Sequence, residues 1–436
     1  MTSPGTPELL DRDHGLDPSS SDYPNAVRSV LLAPWAAGDP VAGNEAVQLS
    51  ARTVSALNEV ARWANDGQSA DPTACAWLAY LRWAVANGAQ LPSDAPGPPA
   101  DVLDRDFPAL SAPGPHDGDS FTALATGRLG EVLRPVLPHA QSPEVLARTA
   151  PYGLIPNVGW KSLIVLALDS AAITHGSPEA QTAATALALT VHAAVRARSS
   201  DASLAEVLAE TARVSSEITR PAPRTRDLLA ILADADARAA LWTGAPGILT
   251  GRLGTGATAT EALALGLAAL LAVEDAAERE VLRSGDSARE DHVGDRALTG
   301  RGRPGSGDDV ARDACALLTD RDVTSSAARH VVLVVAAARW GLAAARVQEE
   351  DTPRTDDQRA AEPMTSDGAD SLGAAPTVGA PAGSHRGSTG NIGNIEATES
   401  AGITDSAEGA GSRDAVDPVR AELLCLAEQW NSLWRP

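Results

Sequence analysis

Apolar residues recur at helical spacing from Ala26 to about Ala345. Between Ser50 and Ala64, Val54, Leu57, Val60 and Ala61 fall on one face, the i, i+3, i+4 pattern of an amphipathic helix. Thr73 to Ala86 repeats the pattern with Trp77, Leu78, Leu81 and Trp83. Lys161 to Ile173 is strongly apolar and stops at His175-Gly176; Ser177-Pro178-Glu179 then predicts a restart running to about Arg198. A capping serine, a proline at the first helical position and an early acid favour that start. Thr260–Val273, Asp309–Leu318 and Ala327–Ala345 supply further helices, and alternating β-branched runs are almost missing. The expectation is an all-α fold, a compact helical bundle over residues 25–346.

Four stretches break the pattern. The first 24 residues are rich in Ser, Pro and Asp, and predict disorder. Gln90–Pro115, loaded with proline and aspartate, predicts a long irregular loop. Ser284–Asp308 is charged and glycine-rich, which predicts a mobile insertion. Residues 347–418 carry Gly/Ala/Ser/Thr tracts without an apolar stripe, the composition of a disordered linker. Helical spacing returns in 419–436 with Leu423, Leu424, Leu426, Trp430 and Leu433, a segment expected to dock on the core.

Charge narrows the function classes. The formal net charge is −22, which argues against nucleic acid and against anionic membrane surfaces. Nearly half of that excess sits in the linker, where Glu349–Asp417 holds fourteen acids against four arginines. No apolar run reaches the ~20 residues of a membrane helix, and the acidic N-terminus has no signal-peptide core. Cys75, Cys315 and Cys425 are scattered in apolar helical contexts, and read as buried thiols of a reducing cytoplasm.

The chemistry-bearing candidate is Asp320-Arg321-Asp322-Val323-Thr324, between two helical patterns. Two carboxylates two residues apart at a turn can converge on one hard cation. Acids at helix junctions also serve as caps with no metal present. Other segments carry a resemblance. They are Ala36-Ala37-Gly38-Asp39-Pro40-Val41-Ala42-Gly43, Trp63-Ala64-Asn65-Asp66-Gly67, Ala76 to Trp83, and Ala112-Pro113-Gly114 followed by Thr122-Ala123-Leu124. The most specific are Arg148-Thr149-Ala150-Pro151-Tyr152-Gly153-Leu154 and, about twenty residues on, Thr174-His175-Gly176-Ser177-Pro178. In this order they resemble the ADP-ribosylglycohydrolase family of all-helical hydrolases.

The resemblance implies a pair of Mg²⁺ ions at the centre of the bundle, orienting ADP-ribose and a water. It implies ADP-ribosylated protein or free ADP-ribose as the partner, with cleavage of the N-glycosidic bond to arginine. The metal candidates it assigns are Glu45, Asp320 and Asp322; the ligand-binding candidates are Asp39 and His175. The departures weigh against hydrolysis. The family's S-D-D-T-Q-L falls on Asn44-Glu45-Ala46-Val47-Gln48-Leu49, and Ala46 cannot bind a cation. The hydroxyl of the late D-x-D-T motif is replaced by Val323. The glycine-rich stretch before the R-x-A-P motif reads His139 to Ala147 here, and loss of those glycines implies a reshaped pocket. The expectation is a member with a degraded two-metal site that retains affinity for ADP-ribose-like ligands. An active hydrolase with a remodelled site, and an interaction protein without nucleotide affinity, are the alternatives.

Overall fold

The computed structural model describes residues 9–36, 44–116, 118–243, 245, 247–289, 306–345 and 417–435, with 281–289 as backbone alone. The described residues form α-helices and two 3₁₀ turns without a strand. Helices α1 (Tyr23–Ala36), α2 (Glu45–Asn65) and α3 (Pro72–Ala86) open the chain. The proline-rich stretch is less irregular than its composition suggests, since α4 (Val102–Asp106) and α5 (Pro108–Ser111) lie within it. Next come α6 (Asp119–Leu124) and α7 (Glu144–Thr149), a 3₁₀ turn (Ala150–Leu154), α8 (Trp160–Ala172) and α9 (Pro178–Ala197). Four shorter helices follow: α10 (Leu204–Ser215), α11 (Pro223–Ala233), α12 (Ala235–Trp242) and α13 (Gly247–Leu253). The last are α14 (Ala259–Arg289), α15 (Gly307–Asp320), α16 (Ser326–Trp340) and α17 (Pro418–Leu433), with the second 3₁₀ turn (Ala343–Ala345) after α16. No described helix is long and apolar enough to cross a membrane.

α9 is the axis of the core. Every residue from Ala180 to Val195 is buried, as expected of a helix without a polar face. α7, α8, α10, α14 and α16 pack around it. Its alanines permit close approach, and the 3₁₀ turn exploits this. A Cβ on Gly153 would lie 2.4 Å from the carbonyl oxygen of Ala188 and 2.7 Å from Val191 Cβ. Gly153→Ala should therefore force the turn off α9 and cost roughly 1–3 kcal/mol; an unchanged urea midpoint would show that this contact is slack.

Several helices start without a capping side chain of their own. The N-cap positions of α5, α6 and α11 are Phe107, Gly118 and Ala222, none of which makes a side-chain cap bond. Distant glutamates fill the gap. Glu422 of α17 accepts Ala109 and Leu110 N–H, and Glu144 accepts Asp119 and Ser120 N–H. Glu179 accepts Arg224 and Thr225 N–H. Each satisfies exposed donors, complements a positive helix end and ties two helices together. Ser177, expected to cap α9, makes no side-chain cap bond; its neighbour Glu179 serves α11 instead.

Two expectations need correction here. Disorder through residue 24 fails from Leu9 onward, because Leu9, Leu10 and Leu16 are buried in the core. Asn157 N–H donates to Leu16 O and Trp160 N–H to Asp11 O, both at 3.0 Å, which straps this segment to the loop before α8. Three leucines spaced through a polar stretch give no helical period, so the sequence pattern missed them. The cysteines are unpaired as expected, but Cys75 and Cys315 are only partly buried and Cys425 is exposed. α17 does dock on the core, against α1, α2 and α5. Most of the proposed insertion and nearly all of the proposed linker lie outside the described residues.

Candidate functional site

The two most specific motifs meet in one buried chain of hydrogen bonds. Arg148 lies in the last turn of α7 with its side chain fully enclosed. Its Nη1 donates to Ser170 O at 2.8 Å and its Nη2 to Ala171 O at 3.3 Å, so the guanidinium sits at the negative end of α8. The cation also lies 5.1 Å from the centroid of the Tyr80 ring. Nη2 donates in addition to Thr174 Oγ1. Thr174 Oγ1 lies 2.8 Å from His175 Nδ1, and His175 Nε2 lies 2.9 Å from Ser142 Oγ. Ser142 Oγ is 3.0 Å from Glu144 Oε1.

The ends of this chain fix the direction of every bond in it. A guanidinium only donates and a carboxylate only accepts. Thr174 accepts from Arg148 and donates to His175 Nδ1; Ser142 donates to Glu144 and accepts from His175 Nε2–H. The network thus assigns His175 the neutral Nε2–H tautomer. Burial, and then the Arg148 charge, push its pKa well below 6.5, against the weaker opposing pull of the Ser142 backbone. Both ring nitrogens are engaged and the residue is fully enclosed, so the ligand-binding role expected of His175 has no surface to act through in this conformation. The segment His139–Ala147, expected to be a reshaped pocket wall, supplies Ser142 and Glu144 to the chain. Those two residues were missed, although Ser-Pro-Glu before an apolar run is itself a helix-start signal.

The other motif segments are similarly occupied. Asn44 is the N-cap of α2, its Oδ1 accepting from Ala46 N at 2.9 Å and Val47 N at 3.3 Å. Glu45 is the first helical residue and is partly buried. Gln48 accepts from Trp83 Nε1 at 2.8 Å and donates to Ala112 O, which latches the Ala112-Pro113-Gly114 loop to α2 and α3. Asp39 lies outside the described residues.

Asp320, Arg321, Asp322 and Val323 form the end of α15. Asp322 N–H donates to Thr319 O at 3.0 Å and Val323 N–H to Leu318 O at 2.9 Å. That pair of bonds is the Schellman motif, which requires a left-handed residue between them. Asp322 supplies it with φ 60°, a conformation that Asp tolerates better than most residues. Val323 and Leu318 are both buried, the hydrophobic contact that accompanies the motif. Both aspartates are exposed. α16 starts afresh with Ser325 Oγ accepting Ala328 N–H.

The metal candidates lie on helices with different main neighbours. α2 packs on α3, α7, α17 and α1, whereas α15 packs on α14 and α16. Asp320 borders a groove of about 960 Å³ between α12, α14 and α15, to which α2 contributes nothing. Two of the groove's arginines are engaged within it. Arg238 makes two 3.0 Å bonds to Asp275, and Arg321 stacks 5.7 Å from the Trp242 ring centroid. Among the described residues, no three of His, Cys, Asp and Glu come together as a metal cage.

The ADP-ribosylglycohydrolase family profile matches residues 9–290. The chain belongs to that family. The match takes in the packed N-terminal strap and the whole Arg148–His175 network. It stops before Asp320, so the late acidic pair and α17 lie beyond it. No curated protein matches the chain.

Proposed function

We propose that this family member has given up hydrolysis through a Mg²⁺ pair and binds an ADP-ribose-type ligand, free or attached to protein. The reading is carried by the fate of the oxygen donors at the two motif positions. Asn44 Oδ1 is consumed by the start of α2, and Ala46 offers no donor. Val323 is buried as the hydrophobic end of a helix cap, and Asp322 is shaped by the same cap. A pair of hard cations needs several converging carboxylate or hydroxyl oxygens, and these residues do not fit one. The binding half of the reading rests on family membership and on the intact frame joining Arg148 to Thr174.

Calorimetry on the full chain tests it. ADP-ribose should bind with the same affinity with and without millimolar Mg²⁺, and Mg²⁺ alone should give no specific heat. Restoring the donors where α2 begins, as Asn44→Ser, Glu45→Asp and Ala46→Asp together, should raise Mg²⁺ affinity measurably. Val323 is a poor place to restore a hydroxyl because it would bury a new polar group. Absence of ADP-ribose binding would favour an interaction protein without nucleotide affinity; specific Mg²⁺ binding by the unmodified chain would favour a remodelled hydrolase.

A further inference from the structure

α12 and α15 both pack on α14, and the groove of about 960 Å³ lies between them. Its floor is apolar. Trp242, Val273 and Leu317 are half-buried there, Val310 is buried and Ala276 is exposed. Apolar side chains gathered in an open groove mark a docking surface more often than a bare stretch of surface does. On α12, Ala235, Arg238, Ala239 and Trp242 line it at i, i+3, i+4 and i+7; on α15, Asp313, Leu317 and Asp320 do so at i, i+4 and i+7. Each wall thus turns one helical stripe toward the groove, the arrangement that receives a helix laid lengthwise.

The charges select the kind of helix. All three arginines of the groove are held by groove residues. Arg238 bonds the Asp275 carboxylate, Arg279 Nε–H donates to Asp275 O at 2.9 Å, and Arg321 Nη2–H donates to Trp242 O at 2.8 Å. Asp309 is held as well, accepting from Ser306 Oγ–H and from Arg312, both at 2.8 Å. Glu278, Asp313 and Asp320 are exposed and make no hydrogen bond or ion pair among the described residues. Asp313 and Asp320 stand two turns apart on one face of α15, about 10 Å along its axis. The unanswered charge of the groove is therefore negative, and it borders an apolar floor.

We propose that this groove docks a basic amphipathic helix of a partner protein, its Lys or Arg residues facing Glu278, Asp313 and Asp320 and its apolar residues facing Trp242 and Leu317. Charge disfavours the other occupants. Two copies of a chain with a formal charge of −22 repel each other. Glu349–Asp417 holds fourteen acids against four arginines, and residues 290–305, between α14 and α15 in sequence, hold three of each. The inference does not depend on the proposed function, and its test involves neither Mg²⁺ nor ADP-ribose.

The test is fluorescence anisotropy of a labelled peptide, three repeats of Leu-Lys-Lys-Leu-Leu-Lys-Leu, titrated with the full chain. Salt at about 150 mM screens charges more than ~8 Å apart. The peptide should bind with a Kd on the order of micromolar, and the same peptide with Glu for Lys should not bind. Glu278→Gln, Asp313→Asn and Asp320→Asn together should weaken binding about tenfold. Ala276→Arg, which fills the floor from an exposed position on α14, should weaken it at least as much. Asp94→Asn, Glu217→Gln and Asp227→Asn make the same charge change at exposed acids elsewhere, and should leave affinity within about twofold. Should the groove triple variant fail to fold, Ala276→Arg decides. Absence of binding, or equal weakening by the groove and control variants, would overturn the proposal. So would full displacement of the peptide by equimolar spermidine, which would make the groove a polyamine site, or a dimer that Ala276→Arg dissolves, which would assign it to a second copy.

Discussion

Urea denaturation near pH 4 is expected to show the protein several kcal/mol less stable than at pH 7, with most of the loss between pH 6.5 and 4. Three enclosed histidines cause it. Burial lowers the pKa of His192 and of His330 from 6.5 to about 4, and holds that of His175 well below 6.5. A base whose folded pKa is depressed stays neutral in the native state while the unfolded chain takes up protons. Its contribution is therefore complete above the unfolded value and is lost as pH falls toward the folded one. A difference of about 2.5 units corresponds to roughly 3 kcal/mol for each of His192 and His330, a large part of a typical 5–15 kcal/mol total. His330 isolates the effect, since neither ring nitrogen has a hydrogen-bond partner. His330→Leu should flatten the pH dependence by about a third and should not weaken the protein at pH 7. An unchanged slope would mean that His330 reaches water in the native state.

Trp430→Ala should be the most damaging substitution in α17, costing roughly 3–5 kcal/mol. Trp430 is fully buried, and its Nε1–H donates to Tyr23 OH at 2.8 Å. Tyr23 OH in turn donates to Leu154 O at 2.8 Å, at the end of the 3₁₀ turn packed on α9. The terminal helix is thereby pinned through α1 to the centre of the fold. Trp430→Phe keeps most of the buried area and loses one hydrogen bond, so it should cost about 1–2 kcal/mol. Comparable losses for both would assign the effect to the hydrogen bond and not to packing. A negligible effect of either would mean that α17 is not held at this place.

The long helices were legible because their apolar faces repeat without interruption. α3 and α8 fall within a residue or two of the positions their periodicity predicts, and Pro418–Leu433 docks as its leucines and Trp430 imply. The N-terminal strap was not legible, since its buried leucines are held by backbone bonds to residues some 140 positions away. Nor were the glutamate caps, because Glu144, Glu179 and Glu422 look like solvated helix acids until a partner helix is placed beside them. The site separates in the same way. Motif order singled out the segments of Arg148 and Thr174, but it did not show that the two side chains would bond or that His175 would be enclosed and neutral. Asp320 and Asp322 have the spacing of a metal motif and the geometry of a helix end. The difference lies in one left-handed backbone angle at Asp322 and in the burial of Val323, neither of which the residue types alone determine.

The most direct test is release of ADP-ribose from an arginine-ADP-ribosylated protein by the purified full chain in millimolar Mg²⁺. The expected result is no release above the no-enzyme control, with unchanged binding of free ADP-ribose under the same conditions. Sustained Mg²⁺-dependent turnover, abolished by Glu45→Ala or Asp320→Ala in variants that still fold, would contradict the account and show that a working metal site survives in this chain.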